Sequence, residues 1–284
     1  MYDKKGLEKW PESYWNHIKR NIGLIRIVEQ EKLRTNLIVI FGVGGLGGPL
    51  VEQLVRTGCE NIVICDYDKF VESNLNRQLC LREDIGKFKI DVLAKLLKKI
   101  NTKIKIQKFY EINEENISNI LKNATVAALT LDDPITSILI SRECVKKDIP
   151  ILEAWAIPYL CTWWFTQESI DYESCYDLDT KGISFKQLKE SKEIILDVRK
   201  ALLPKLLKFP GIRETYDREE GAVEGLFSGK LPSISLAPIV RMTASFLAFE
   251  IIFSGILKVK EMVLAPNVIG YDYFQMKPIN FSFL

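Results

Sequence analysis

A strand that runs straight into a glycine turn constrains this chain more than any other feature. Residues 37–41 read LIVIF, the apolar, β-branched composition of a strand buried on both faces. Gly42, Gly44 and Gly47 follow at G-x-G-x-x-G spacing, with Gly45 and Gly48 added. Such glycines allow a tight turn, bring backbone close to a phosphate, and let the next helix pack on the strand. Residues 46–58 read as that helix, stopping at a glycine. Its N-terminus offers free N–H groups and a positive dipole end, which favour an anion. The next strand, NIVIC, runs into Asp66, where a carboxylate suits the hydroxyls of a ribose. A glycine turn alone can serve packing only. The strand, turn, helix, strand and acid in this order predict a nucleotide site. Asp68 reads as a solvated loop residue or as a second polar contact.

What comes after the acid narrows the nucleotide. Asn74, Asn76, Arg77 and Gln78 follow it directly, and Lys87 and Lys89 come next. Arginine offers a planar fork to phosphate oxygens and lysine a point charge. Converging cations suit a β,γ-phosphate or a departing pyrophosphate better than a nicotinamide ring. An NAD-dependent oxidoreductase would use the glycine turn and Asp66 but leave Arg77 and Lys89 idle.

The ordered set GVGGLGG, the Asp66 turn, NLNRQ and IGKFK resembles the ThiF/MoeB/HesA family, the adenylating fold shared with ubiquitin-activating enzymes. The resemblance is good over residues 12–165 and loose over 231–275. It implies an ATP-dependent adenylyltransferase: a substrate carboxylate attacks the α-phosphate, an acyl-adenylate forms and pyrophosphate leaves. It also implies roles by position. Gly42, Gly44, Gly45 and Gly47 would cradle the nucleotide with Gln78 beside them, and Asp66 would hold the ribose. Asn74, Arg77 and Lys89 would line the phosphates, and Asp132, in ALTLDDP, would ligate Mg²⁺. Asp133 stands where the family usually has Asn; it could tighten the metal site or cap the helix that starts near Pro134. Arg20 matches an arginine that reaches into a partner subunit's ATP site, so the implied active unit is a homodimer.

The same resemblance implies a substrate class. The expected acid is the C-terminus of a small ubiquitin-like or sulfur-carrier protein. A ribosomal peptide, a tRNA-bound carboxylate, or an inactive partner subunit of a heterodimer are the alternatives. Many family members bind a structural zinc through two CxxC pairs. Here the first would begin at Cys175, its partner position is Leu178 and the second pair is missing, so no zinc is expected. No cysteine follows Cys175, so the segment 210–233, the family's crossover loop over the substrate tail, lacks a thioester nucleophile. Cys59, Cys65 and Cys144 read as packing thiols, Cys161 lies in an apolar strand, Cys80 could border the nucleotide, and Cys175 is the remaining acyl acceptor.

Composition sets the outer bounds. A net charge of +2 predicts no strong nucleic-acid footprint. The lysines of 95–99 and 186–208 sit at helical spacing and read as solvated helix faces. Six cysteines without a CxxC pair fit a reducing cytoplasm. The first ten residues do not read as a signal peptide, and no apolar run is long enough for a membrane span. The single histidine, His17, excludes multi-histidine metal sites and reads as a helix-surface or dimer-contact residue, one turn before Arg20. Adenylation needs no general base, because a carboxylate is already a nucleophile at neutral pH.

The predicted architecture is α/β: a Rossmann-like, mostly parallel sheet with helices on both faces, plus an antiparallel C-terminal extension. One adenylation domain would divide into a nucleotide-binding half, 12–165, and a substrate half, 166–284. Helices are expected over 12–32, 86–100, 184–208 and 235–255. Strands are expected near 36–42, 61–66, 103–109, 125–130 and 150–157, with an antiparallel CTWWFTQ strand and two closing strands in 260–274. Trp155, Trp163, Trp164 and Phe165 read as core, with a peptide-binding wall as the alternative.

Overall fold

The computed structural model describes residues 10–155, 157 and 159–284. The N-terminal nine residues, on which the signal-peptide expectation rests, lie outside them. So do Ala156 and Pro158 of the expected strand 150–157. The chain opens with α1 (Glu12–Ile18) and α2 (Ile27–Thr35). It continues through β1 (Leu37–Phe41), α3 (Gly47–Arg56), β2 (Asn61–Cys65), α4 (Lys89–Ile100), β3 (Lys105–Phe109), α5 (Ile117–Ile120), β4 (Ala124–Leu129) and α6 (Pro134–Lys146). Beyond lie β5 (Ile151–Glu153), β6 (Tyr159–Phe165), α7 (Tyr172–Cys175), α8 (Phe185–Glu190), α9 (Lys192–Leu207), α10 (Ile212–Tyr216), α11 (Ala222–Phe227), α12 (Ala237–Glu250), β7 (Asn267–Asp272) and β8 (Lys277–Ser282).

The strands form one sheet of eight in the order β3-β2-β1-β4-β5-β6-β7-β8. The first five are parallel, and β6, β7 and β8 each pair antiparallel with their neighbour. Successive side chains of a strand point to opposite faces, so a strand covered by helices on both sides must be apolar throughout. LIVIF does this. Ile38 and Ile40 join the core under α3, α4 and α12, and Val39 and Phe41 join the core under α6 to α9. The helices follow their apolar stripes: Leu50, Val51, Leu54 and Val55 of α3 are fully buried, as are Ile90 and Leu97 of α4. The chain winds outward from β1 to β3, then returns to β4 on the other side. That reversal opens a crevice between the carboxyl ends of β1 and β4, where α/β sheets bind ligands.

Several boundaries differ from expectation, each for a local reason. Residues 12–32 do not form one helix: Gly23 takes a φ of +118° and breaks it between α1 and α2. Residues 184–208 split at Ser191, which ends α8 and whose hydroxyl caps Ile194 N–H of α9. Within that segment Lys205 is not solvated; it is buried against Asp177 and the Phe283 carbonyl. The loop 210–233 contains α10 and α11, and the closing hairpin lies later than 260–274, at β7 and β8. β5 is only three residues long, because the chain turns at Trp155, where Ile157 N–H bonds back to its carbonyl.

The final helix also differs. α12 continues into a π-turn, Ile251–Ile256, giving one 20-residue helix that is long and apolar enough to cross a membrane, contrary to the sequence expectation. Val240, Ala244, Leu247 and Ile251 of this helix are fully buried in the core it shares with α3 and the sheet. Of the four aromatics expected in the core, Trp163 and Trp164 are fully buried and Phe165 nearly so, while Trp155 is half-buried against them.

Candidate functional site

The glycine turn leaves β1 with Gly42 N–H bonded to the Cys65 carbonyl at 2.8 Å, which ties it to the end of β2. Gly47 permits the contact that closes the turn. A Cβ there would stand 1.8 Å from the Gly42 carbonyl oxygen and 2.6 Å from Thr130 Oγ1. Thr130, just past β4, donates to that same carbonyl at 2.7 Å. The ends of β1, β2 and β4 are thus bound to one another around the start of α3.

Asp66 lies at the rim of this turn. Its Oδ2 accepts from Val43 N–H and its Oδ1 from Asp68 N–H, both at 2.8 Å. Burial pushes its carboxyl above the ordinary aspartate range, and Lys89 and those two N–H groups pull partly against that. Lys89 begins α4 and is itself buried, with Nζ 2.7 Å from Asp68 Oδ2. Asp68 is therefore a partner of Lys89 and not a free loop residue; the DYD spacing around Tyr67 was the available signal. Lys87 by contrast points away, paired with Asp84.

Asn74, Arg77 and Gln78 come to the turn through a 3-10 turn, Glu72–Asn74. Asn74 is buried and its Oδ1 accepts from Val71 N–H, so part of its side chain is spent on shaping that turn. Arg77 lies beside Gly45, where a Cβ would stand 3.4 Å from its Nε. Gln78 is buried beside Gly44, and its Oε1 has no hydrogen-bond partner among the described residues. A buried acceptor left open at the mouth of a glycine turn fits a polar ligand. Asn76 Nδ2 donates to the Ser235 carbonyl at 3.0 Å, which ties this loop to the end of the segment 210–236.

On the far side of the crevice, Asp133 caps α6. It accepts from Ile135 N–H at 3.1 Å and from the Thr136 hydroxyl. Its neighbour Asp132 is exposed and has no hydrogen-bond or ion-pair partner among the described residues. Tyr67 stands largely exposed beside them, its phenol raised by its partial burial and then by the charges of Asp68, Asp133, Asp132 and Asp66. A cavity of about 330 Å³ opens here: Tyr67, Asp132 and Thr136 form one side, and Lys189 and Ile195 roof it from α8 and α9. Sequence reasoning missed Tyr67, Thr130 and this roof, since helices remote in sequence carry no local sign of what they cover.

Among the described residues no cluster of three or more His, Cys, Asp or Glu side chains has metal-binding geometry. One free carboxylate still suits Mg²⁺, which keeps waters and takes phosphate oxygens as its other ligands. Cys175 is fully buried and its thiol is pushed up to about 12 by burial, so it offers no thiolate. Cys80 is half-buried, with its thiol also raised by burial.

Arg20 is not brought to this crevice. Asn21 Nδ2 donates to the Thr57 carbonyl and His17 Nε2 meets the Arg56 carbonyl, which sets this segment at the C-terminal end of α3. The glycine turn lies at the other end of that helix, roughly 15 Å away at 1.5 Å per residue.

Residues 18–283 match the profile of the ThiF family. The chain is 31% identical over 133 residues to SUMO-activating enzyme subunit 2 of Dictyostelium discoideum, covering 46% of this chain and 20% of that protein. It is 32% identical over 127 residues to the sulfur carrier protein ThiS adenylyltransferase of Bacillus subtilis, covering 43% of this chain and 38% of the relative. The matches thus span well under half the length of these relatives. Among solved structures, E. coli MccB with ATP superimposes with a TM-score of 0.63 at 19% identity, over 90% of this chain and 66% of that one.

Proposed function

Because this chain belongs to the ThiF family, matched across residues 18–283, we propose that it is an ATP-dependent adenylyltransferase that activates a carboxylate. The proposed acid is the C-terminus of a small ubiquitin-like or sulfur-carrier protein, or of a peptide. One observation carries the reading: the glycine turn, Asp66, Arg77 and Lys89 converge on one wall of a crevice whose other wall ends in the unpaired Asp132. An oxidoreductase has no use for the second half of that set.

The glycine turn and the N-terminus of α3 receive the phosphates through backbone N–H groups. Asp66, held by Val43 and Asp68, accepts from the ribose hydroxyls. Arg77 and Lys89 stabilise charge on the α- to γ-phosphates as it redistributes. Asp132 would hold Mg²⁺, which neutralises phosphate charge when bound. A substrate carboxylate oxygen attacks the α-phosphorus, the bond to the bridging oxygen of the β-phosphate breaks, and pyrophosphate leaves with that electron pair. No proton transfer is required, in keeping with the absence of a histidine at the crevice. The segment 210–233, whose continuation at Ser235 is tied to Asn76, covers the substrate tail. On this reading 12–165 is the nucleotide half and 166–284 the substrate half.

The active unit proposed is a homodimer. Arg20 sits at the far end of α3 from its own glycine turn, so a role at the nucleotide requires a second copy's site. The test is chemical trapping. Incubation with ATP, Mg²⁺, host extract and hydroxylamine should leave a hydroxamate on the C-terminus of a small protein or peptide. Binding and reduction of NAD⁺ without any ATP-dependent hydroxamate would overturn the reading.

A further inference from the structure

Strand β3 ends the sheet, and no described strand pairs with its outer side. Lys105 N–H and Phe109 C=O are spent on β2, bonding Glu60 C=O and Asp66 N–H. Backbone groups of successive strand residues alternate in direction, so those of Ile106 and Lys108 face outward. The same two residues line one side of a groove of about 450 Å³, whose other side is the face of α4 bearing Lys95, Lys98 and Lys99. The single carboxylate in the groove, Asp91, is already bonded to Lys108 Nζ at 2.6 Å and to the Tyr110 hydroxyl at 2.8 Å. None of the three α4 lysines has an ion-pair partner among the described residues, and all three are exposed.

We propose that this edge takes up an acidic, extended segment of a partner polypeptide as an added strand. Two features coincide. The outward N–H and C=O groups of Ile106 and Lys108 offer a template for strand addition. The row of free ammonium groups beside it meets carboxylates projecting from the added strand. Lysines that merely guard an edge against pairing stand on the strand itself. β3 itself carries Lys105 and Lys108, the latter held by Asp91, but Lys95, Lys98 and Lys99 stand on the flanking helix, where they leave the backbone edge open. A nucleic acid would use the charge but not the outward N–H and C=O groups.

The probe is a fluorescein-labelled peptide of alternating glutamate and valine, followed by anisotropy with the full chain. Binding is expected, and two N-methylated versions should differ. Methylation of every second residue in one phase removes the N–H groups that face β3 and abolishes binding; the opposite phase leaves it. Replacing Lys95, Lys98 and Lys99 together by Glu should weaken binding by about tenfold or more, while the same three changed to Arg should retain it. Circular dichroism of the Glu variant checks that it folds; should it not, the N-methyl pair decides alone. No binding of the unmodified peptide overturns the proposal. So does equal loss or equal retention in both N-methyl phases, or binding of an oligouridylate in preference to the peptide.

Discussion

Lys89 Nζ lies 2.7 Å from Asp68 Oδ2, with the lysine side chain 8% exposed and the aspartate's 44%. The cation is held at the buried end of the pair and the carboxylate stands on the open side. An ammonium has three donors, so two remain for phosphate oxygens. Lys89→Ala should therefore lower adenylation about 100- to 1,000-fold, the usual loss for one preorganised donor to developing charge. Asp68→Asn, which weakens only the hold on Lys89, should cost about tenfold or less. Steady-state kcat with a saturating acid separates the two; equal losses would place Asp68 on the nucleotide itself.

Two adjacent aspartates are assigned different work. Asp132→Ala should abolish Mg²⁺-dependent adenylation and leave the thermal midpoint unchanged. Asp133→Ala should destabilise the fold by about 1 kcal/mol, the value of an N-cap, and keep activity. Activity retained in the first variant and lost in the second would move the metal ligand to Asp133.

The glycines also divide. Gly47→Ala places a Cβ 1.8 Å from the Gly42 carbonyl oxygen, so the variant should not fold stably. Gly44→Ala meets only Gln78, at 3.6 Å, an ordinary contact. It should fold and melt like the parent but bind ATP more weakly, because the methyl lies where the glycine turn meets its ligand. Calorimetric titration with a non-hydrolysable ATP analogue, beside a melting curve, checks this.

Asp66 makes nucleotide binding pH-dependent. Its carboxyl titrates above the ordinary aspartate range, chiefly through burial, so its ionised form is lost at a higher pH than that of a free aspartate. ATP affinity should fall as pH drops through that raised value. The stability contribution runs the other way: the folded state binds this proton more tightly, so protonation favours folding. Asp66→Asn should bind ATP weakly at every pH and show no acid limb of its own.

Glu153 gives a second pH signature, away from the nucleotide. Its carboxylate is buried at the end of β5 and receives Tyr176 OH at 2.7 Å, Trp163 Nε1 at 3.2 Å and Trp155 Nε1 at 3.4 Å. Burial pushes it from 4.5 to about 7, against the pull of those three donors. Between these values the folded state holds a proton that the unfolded chain has released. Stability from this group therefore falls as pH rises through that window, by about 3 kcal/mol at most. Denaturant melts at pH 5 and pH 8 should show the slope in the parent and not in Glu153→Gln.

The glycine turn, Asp66 and the cations at Arg77 and Lys89 were legible in sequence because a few backbone contacts within 50 residues fix them. LIVIF announced a two-sided strand, and NIVIC the next. The roof of the cavity was not legible: Lys189 and Ile195 reach Tyr67 and Asp132 only through the packing of α8 and α9 on α6. The break between those helices was written in the chain, since Ser184 and Ser191 each cap the helix that follows. Uniform Leu, Ile and Lys spacing over 184–208 hid that signal. Glu153 and Glu250 stand as lone charges within apolar runs, ILEAW and FLAFEIIF. Trp155 and Ser254 are local partners, while Trp163 and Tyr176 for Glu153 and Trp164 for Glu250 lie on other segments, so the runs themselves showed only part of each set.

The most direct measurement is Mg²⁺-dependent ATP–pyrophosphate exchange, with host extract split into small-protein, peptide, RNA and metabolite fractions and the Asp132→Ala protein as blank. The account predicts exchange that tracks the small-protein or peptide fraction and vanishes in the blank. Measurable ATP binding with no exchange in any fraction would contradict it and make this chain an inactive partner of a second subunit.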